Sequence, residues 1–260
     1  MMNVPMYSPG HDPGSSFVHL LKASGIEPFA QAAGDLEVPH GTTCVALRYG
    51  SGVVIAGDRR ATAGNLIRSK SMDKVVQADE FSGVAISGAA GPAVEMIKLF
   101  QLQLEHYEKM EGHPLSLEGK ANQLSVMIRN NMPAAMQGLA VLPLFAGFEP
   151  QDGTGHIWDF DMTGGRYEER EFVAIGSGSL HAGTVIKVGW RSSLDRGAAV
   201  ALACRSLWEA AEADAGTGGP DLLRRVYPVV ATITADGWEP VPDEELDGIF
   251  RSIEEEVRSR

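Results

Sequence analysis

From Thr42 onward the apolar positions fall into blocks whose period alternates between that of a strand and that of a helix. "TTCVALRYG" and "GVVIAGDRR" are apolar runs joined at "GSG", which predicts a strand hairpin. In the first run Val45, Leu47 and Tyr49 point one way, and Cys44 and Ala46, also apolar, point the other. A strand that is apolar on both faces belongs to a sheet covered on both sides. "KVVQAD" and "GVAISG" continue the strand block. The period then lengthens: Met96, Ile97, Phe100, Leu104 and Tyr107 recur at helical spacing. "GHPLS" ends that helix, and a second is predicted from about Leu117 toward Gly138, perturbed near Pro133. Strands in "VLPLFAGFE", "HIWDFDM" and "EFVAIGSG" come next, then helices around 179–190 and 194–214 and a strand in "VYPVVATITADG". A last helix carries Leu246, Ile249, Phe250, Ile253 and Val257 along one face. Grouped strands and grouped helices, without strict βαβ alternation, point to stacked α+β layers with helices outside and mainly antiparallel sheets inside. No internal repeat and no second globular domain is visible.

Residues 1–41 have a different character. Pro, Gly and Ser concentrate between positions 5 and 16, and no periodicity is sustained, so this leader reads as a partly ordered extension. It lacks the basic start of a secretory signal, since the first Lys or Arg is Lys22, and its longest apolar run, "FVHLL", is short. No run elsewhere approaches the ~18–20 apolar residues of a membrane span, and a cytoplasmic location is expected. The net charge of −12 argues against a nucleic acid or an anionic membrane as partner. Cys44 and Cys204 make no disulfide framework, and the seven histidines are scattered, so no metal site is expected. "GSGSLHAG" has neither the dinucleotide pattern nor a phosphate-loop lysine, no G-x-S-x-G elbow is present, and no cofactor is expected.

A polar set remains near the leader junction: Thr42, Asp58 in "GDRR" and Lys74 in "MDKVV". Singly, each has an ordinary explanation, as a strand threonine, a turn aspartate and a solvated surface lysine. Together they suggest chemistry. A cut between Gly41 and Thr42 would give Thr42 both a hydroxyl and a free α-amine. That amine, with a reference pKa of ~7.7–8.0, can act as general base for its own hydroxyl. A nearby lysine favours the developing alkoxide, an aspartate holds the lysine, and Gly41 leaves its carbonyl open to close approach. The leader then masks the amine.

The motifs "HGTT", "GDRRAT", "MDKV", "ISGAAG", "LEHYEKMEGHPL", "AAMQGL", "AIGSGS" and "DAGTGGPDL" make residues 42–260 resemble the β subunits of bacterial-type 20S proteasomes, within the N-terminal-nucleophile hydrolases. The resemblance implies a four-layer αββα sandwich, with residues 1–41 as a propeptide removed by autocatalytic cleavage and 42–260 as the catalytic domain. It implies that Thr42 is the nucleophile of a threonine endopeptidase, with Asp58 and Lys74 in support, Arg60 beside the site and Gly88 as oxyanion donor through its backbone N–H. Ser177 and Asp214 match residues that bind the amine and the hydroxyl, and Thr217 stands where many relatives have serine. Ala61, Met72, Val76, Ile86 and Ala90 match the first specificity pocket; all are apolar, which implies cleavage after large apolar residues. The implied partners are further copies in heptameric rings, rings of α subunits and a ring ATPase that delivers tagged proteins.

Cys44 stands where relatives carry a branched apolar residue; it reads as a small strand packer, since a nucleophile there would lack the terminal amine. Three other readings compete. A catalytically silent ring subunit need not keep Thr42, Asp58 and Lys74 together, a small-molecule amidohydrolase would be told apart by its substrates, and the simpler two-component bacterial protease has shorter subunits without a long propeptide.

Overall fold

A computed structural model describes residues 41–64 and 66–259. The expected leader therefore lies outside the described residues except for Gly41. Two five-stranded antiparallel sheets form the centre. The first has the order β10-β1-β2-β11-β12 and is built from β1 (Thr43–Tyr49), β2 (Gly52–Gly57), β10 (Phe172–Gly176), β11 (Val229–Thr234) and β12 (Gly237–Pro240). The second has the order β5-β6-β7-β8-β9 and contains β5 (Val75–Asp79), β6 (Ser82–Gly88), β7 (Val141–Glu149), β8 (Thr154–Phe160) and β9 (Arg166–Glu169). A small hairpin, β3 (Ala61–Ala63) with β4 (Leu66–Ser69), stands apart.

The two-sided strand pattern is what stacks these layers. Val45, Leu47 and Tyr49 of β1 pack with Val54 and Ala56 of β2 under α3 (Ser179–Gly189), α4 (Arg196–Ala213) and α5 (Asp243–Arg258), against Ile186, Leu207 and Phe250. Cys44 and Ala46 face the other way and meet Ala85, Leu144, Ala146 and Ile157 of the second sheet. The outer face of that sheet, including Val84, Ile86, Phe145 and Trp158, is covered by α1 (Ala90–Glu111) and α2 (Leu117–Ala135) through Met96, Phe100, Leu124 and Ile128. The result is the αββα sandwich. Each fully buried side chain of the Leu, Ile or Phe type contributes about 1.5–3 kcal/mol, which drives the stacking.

Local chemistry sets the ends of the helices. Ser116 accepts a hydrogen bond from Gly119 N–H and Asp195 from Ala198 N–H, as caps at the starts of α2 and α4. Gly112, with φ at 76°, closes α1. Helix α2 continues past Pro133 to Ala135, short of the expected Gly138, because a proline this close to the helix end disturbs few further bonds. Val257, expected on the buried face of the last helix, is 38% exposed, since the final turn of α5 overhangs the core. Strands β3, β4, β9 and β12 escape a pattern reading because each has three or four residues, too few to show a period.

Candidate functional site

Strand order places the site. Strand β1 lies between β10 and β2 and runs antiparallel to both, with Thr43 opposite Gly176 and Cys44 opposite Gly57. The start of β1 is therefore flanked by Asp58, the residue just after the end of β2, and by Ser177, the residue just after the end of β10. In the second sheet β5 and β6 pair with Val75 opposite Ala85, so Lys74, just before β5, reaches the same end as Gly88 at the end of β6. Four segments far apart in sequence converge on Thr42.

Asp58 and Lys74 form an ion pair of 2.7 Å whose side chains are 0% and 2% exposed. Burying such a pair is costly unless every oxygen finds a donor. Here Asp58 Oδ1 accepts from Lys74 Nζ and from Thr43 N–H at 2.9 Å, while Oδ2 accepts from the N–H groups of Arg60 and Gly218, both at 2.8 Å. Lys74 Nζ also donates to the Gly41 carbonyl at 3.0 Å, and the Thr42 hydroxyl donates to that same oxygen at 2.6 Å. The carbonyl of the Gly41–Thr42 bond is thus held between a hydroxyl and an ammonium. A Cβ on Gly41 would lie 2.2 Å from Thr62 Oγ1, so only glycine fits without a shift.

On the opposite side, Ser177 N–H donates to the Thr42 carbonyl at 2.9 Å. Ser177 Oγ and Thr217 Oγ1 each donate to Asp214 Oδ2 at 2.5 Å. Burial alone would push the Asp214 carboxyl up; hydrogen bonds from Ser177, Thr217 and Gly216 N–H outweigh it and hold it below the usual range. Arg60 turns its guanidinium to Ala215 O at 2.9 Å and so braces the loop that carries Asp214 and Thr217.

A cavity of about 90 Å³ opens beside Thr42, lined by Lys74, Gly88, Ala61, Met72, Ile86 and Ala90 among others. Val76 is the exception among the expected pocket residues. Half-buried, it packs against the cluster beneath α1 and α2, as Met72 also does, and does not line this cavity. In its place the wall uses Thr62, Ser87 and Ala89, each next to a residue that the motifs mark, and Ala93, one helical turn beyond Ala90. Gly88 has φ at 106°, and a Cβ there would lie 2.2 Å from Ala140 O, so the sharp turn from β6 into α1 requires glycine. Helix α1 starts at this wall with no acid in its first turn and no side-chain cap, leaving its positive end toward the cavity.

Cys44 is fully buried between the sheets and its thiol donates to Ile86 O at 3.6 Å. Burial pushes the thiol up to about 12, Lys74 notwithstanding, so no thiolate nucleophile is available there. Among the described residues no group of three or more His, Cys, Asp or Glu side chains is arranged to hold a metal ion, and no helix is long and apolar enough to cross a membrane. Pattern reading passed over Thr43 and Gly178, which connect the two halves of the site. Their only signal is position: one comes directly after Thr42 and the other directly after Ser177.

The chain matches the proteasome subunit family over residues 38–221. It is 53% identical to a proteasome subunit beta of Acidimicrobium ferrooxidans over 261 residues, covering 99% of this chain and 95% of that one. That alignment takes in the residues before Thr42 as well as the sandwich. It is 54% identical to a proteasome subunit beta of Streptomyces griseus, covering 85% of this chain and 78% of that one. With the corresponding subunit of Acidothermus cellulolyticus the identity is 50%, over 94% and 88% of the two chains. Matches on this scale, together with the αββα layers, show that the chain belongs to the proteasome subunit family, as a β subunit of the bacterial type.

Proposed function

We propose that this chain is a threonine endopeptidase subunit of a proteasome core, made as a precursor and cut between Gly41 and Thr42 by its own Thr42. The observation that carries this reading is the Gly41 carbonyl, which accepts hydrogen bonds from both Thr42 Oγ1 and the buried Lys74 ammonium. In the first step Thr42 Oγ1 bonds to the Gly41 carbonyl carbon and its proton passes to a base. Negative charge then gathers on the carbonyl oxygen, where Lys74 and the backbone N–H of Gly88 stabilise it. The C–N bond breaks as the Thr42 nitrogen takes up a proton, leaving an ester between Gly41 and the Thr42 hydroxyl. Water hydrolyses that ester, releasing the Gly41 carboxylate and freeing the Thr42 amine.

The freed amine then serves as general base for peptide substrates. Ser177, Asp214 and Thr217 orient it, while Asp58 holds Lys74 in place. Ala61, Met72, Ile86 and Ala90 give the cavity an apolar wall that favours large apolar side chains before the scissile bond, since an unpaired charge there would cost several kcal/mol. Further copies of this chain in heptameric rings, rings of α subunits and a ring ATPase that delivers tagged proteins, in the cytoplasm, complete the proposal. Large apolar side chains left exposed on α1, including Leu99, Leu102 and Met110, suit a subunit that packs against others.

The test is the N-terminal sequence of the assembled particle. Thr42 should be its first residue, and Thr42→Ala should retain the leader and lose peptidase activity. A different mature N-terminus in an active particle would overturn the assignment.

A further inference from the structure

Thr43, the first residue of β1, is fully buried and is bonded to both halves of the site. Its N–H donates to Asp58 Oδ1, the oxygen that also accepts from Lys74. Its side chain shares the face of Val45 and Leu47 and points away from the Asp58–Lys74 pair, toward the start of α3 and the loop after α4. There Oγ1 accepts from Gly178 N–H at 3.0 Å and lies 2.5 Å from Thr217 Oγ1.

Chemistry fixes the direction of each proton in this run. Asp214 is held ionised, and a carboxylate only accepts. Thr217 therefore commits its one proton to Asp214. Thr43 must then donate to Thr217, and one of its two lone pairs accepts from Gly178 N–H. The chain runs one way, from Gly178 through Thr43 and Thr217 to Asp214, where Ser177 also donates, and such chains strengthen cooperatively in a low-dielectric interior. The position is also closed sterically, since a Cβ on Gly178 would stand 2.4 Å from Thr43 Oγ1 and 2.7 Å from Thr217 Oγ1.

We propose that Thr43 is a positioning residue for the reaction at Thr42: its hydroxyl locks the Ser177–Asp214–Thr217 group in register with the Asp58–Lys74 pair. The inference rests on the reading of Thr42 as nucleophile. Residue 43 is bonded to both groups and covalently attached to the nucleophile, so a change in either group reaches Thr42 through it.

The experiment compares Thr43→Val, Thr43→Ser and Thr42→Ala as assembled particles with their N-termini sequenced. Thr43→Val keeps the volume and removes the hydroxyl. Hydrolysis of a fluorogenic peptide ending in leucine should show kcat lower by roughly 10- to 100-fold, the range for a small misplacement of reacting groups, with KM nearly unchanged. The acid limb of the pH profile, set by the Thr42 amine, should move to higher pH, because an Asp214 carboxylate with a less well oriented Thr217 donor stabilises the protonated amine more strongly. Thr43→Ser, which retains the hydroxyl, should recover most of the rate. A merely structural threonine would change the melting temperature and leave both the rate per folded site and the acid limb alone. Wild-type kcat with an unmoved acid limb in Thr43→Val overturns the proposal. If Thr43→Val does not assemble, Thr43→Cys, of similar volume and a much weaker donor, takes the same test with the same two outcomes. Peptidase activity surviving in Thr42→Ala would instead remove the reading of Thr42 itself.

Discussion

Lys74 and Lys120 are both buried lysines paired with an aspartate, and of the two Lys74 alone touches the bond proposed to react. Lys120 on α2 reaches Asp79 Oδ2 at the end of β5, 2.5 Å away, and ties a helix to the edge of its sheet. Burial pattern around "MDKVV" and "LEGKANQ" does not distinguish them, because a lysine stem is long enough to reach inward or outward from either context; the family motif alone marks Lys74. Their substitutions should separate them. Lys74→Ala is expected to lower turnover by at least ~10²-fold, and Lys74→Arg should not restore it, because a planar guanidinium cannot replace a compact ammonium between Asp58 and the Gly41 oxygen. Near-normal hydrolysis by a correctly processed Arg variant would count against the role given to Lys74. Lys120→Ala should cost roughly 3 kcal/mol of stability by leaving Asp79 without its cation, seen as a lower denaturation midpoint. Hydrolysis per assembled particle should then match wild type.

At the scale of elements, the turn between β8 and β9 shows where pattern reading stops. The run "HIWDFDM" extends the strand to Met162, yet β8 ends at Phe160. Asp161 gathers Thr163 N–H, Thr163 Oγ1, Gly165 N–H and Tyr167 OH, and this local network takes the place of strand pairing. The hydrogen bonds from Thr163, Gly165 and Tyr167 lower the Asp161 carboxyl to about 2. A lowered carboxyl contributes stability above its unfolded value of 3.8, and that contribution fades as pH falls toward 2. Asp161→Asn should therefore flatten the pH dependence of stability in that window, as measured by denaturation at about pH 4.5 and about pH 2.5, on either side of the unfolded value. An unchanged dependence would show that the turn does not use the charge. The cavity beside Thr42 is also a product of elements, since it is formed where β6 ends and α1 begins. Its apolar wall leads to the expectation that peptides with Leu, Phe or Tyr before the scissile bond are cleaved faster than those with Arg or Glu. A fluorogenic series differing at that one residue decides the matter, and the reverse order would mean that the wall is misassigned.

For the whole molecule, the placement of Asp58, Lys74, Gly88 and Ser177 results from two antiparallel sheets stacked so that β1, β2, β5, β6 and β10 bring the right ends together. The outer helices then leave apolar side chains exposed, including Leu102 at 61%. If α1 packs against another subunit, Leu102→Asp should shift the particle toward smaller species in size-exclusion chromatography while the far-ultraviolet circular dichroism keeps its shape. An unchanged elution volume would place the subunit contacts elsewhere.

The sequence by itself determined the order of the helices and the longer strands, the two-faced strands and the layers they demand, because alternation and helical spacing are local properties that survive in one dimension. It also singled out Thr42, Asp58 and Lys74 through their motifs. Tertiary structure decided that Val76, half-buried, packs against the core beneath α1 and α2 while Ala61, Met72, Ile86 and Ala90 line the cavity, since strand β5 faces two apolar environments and composition cannot choose between them. It likewise decided that Thr43 joins two clusters lying 15 and 174 residues away along the chain. A threonine at the head of a strand carries no sign of its partners; these bonds exist only once β1 has paired with β2 and α3 and the loop after α4 have closed over that sheet.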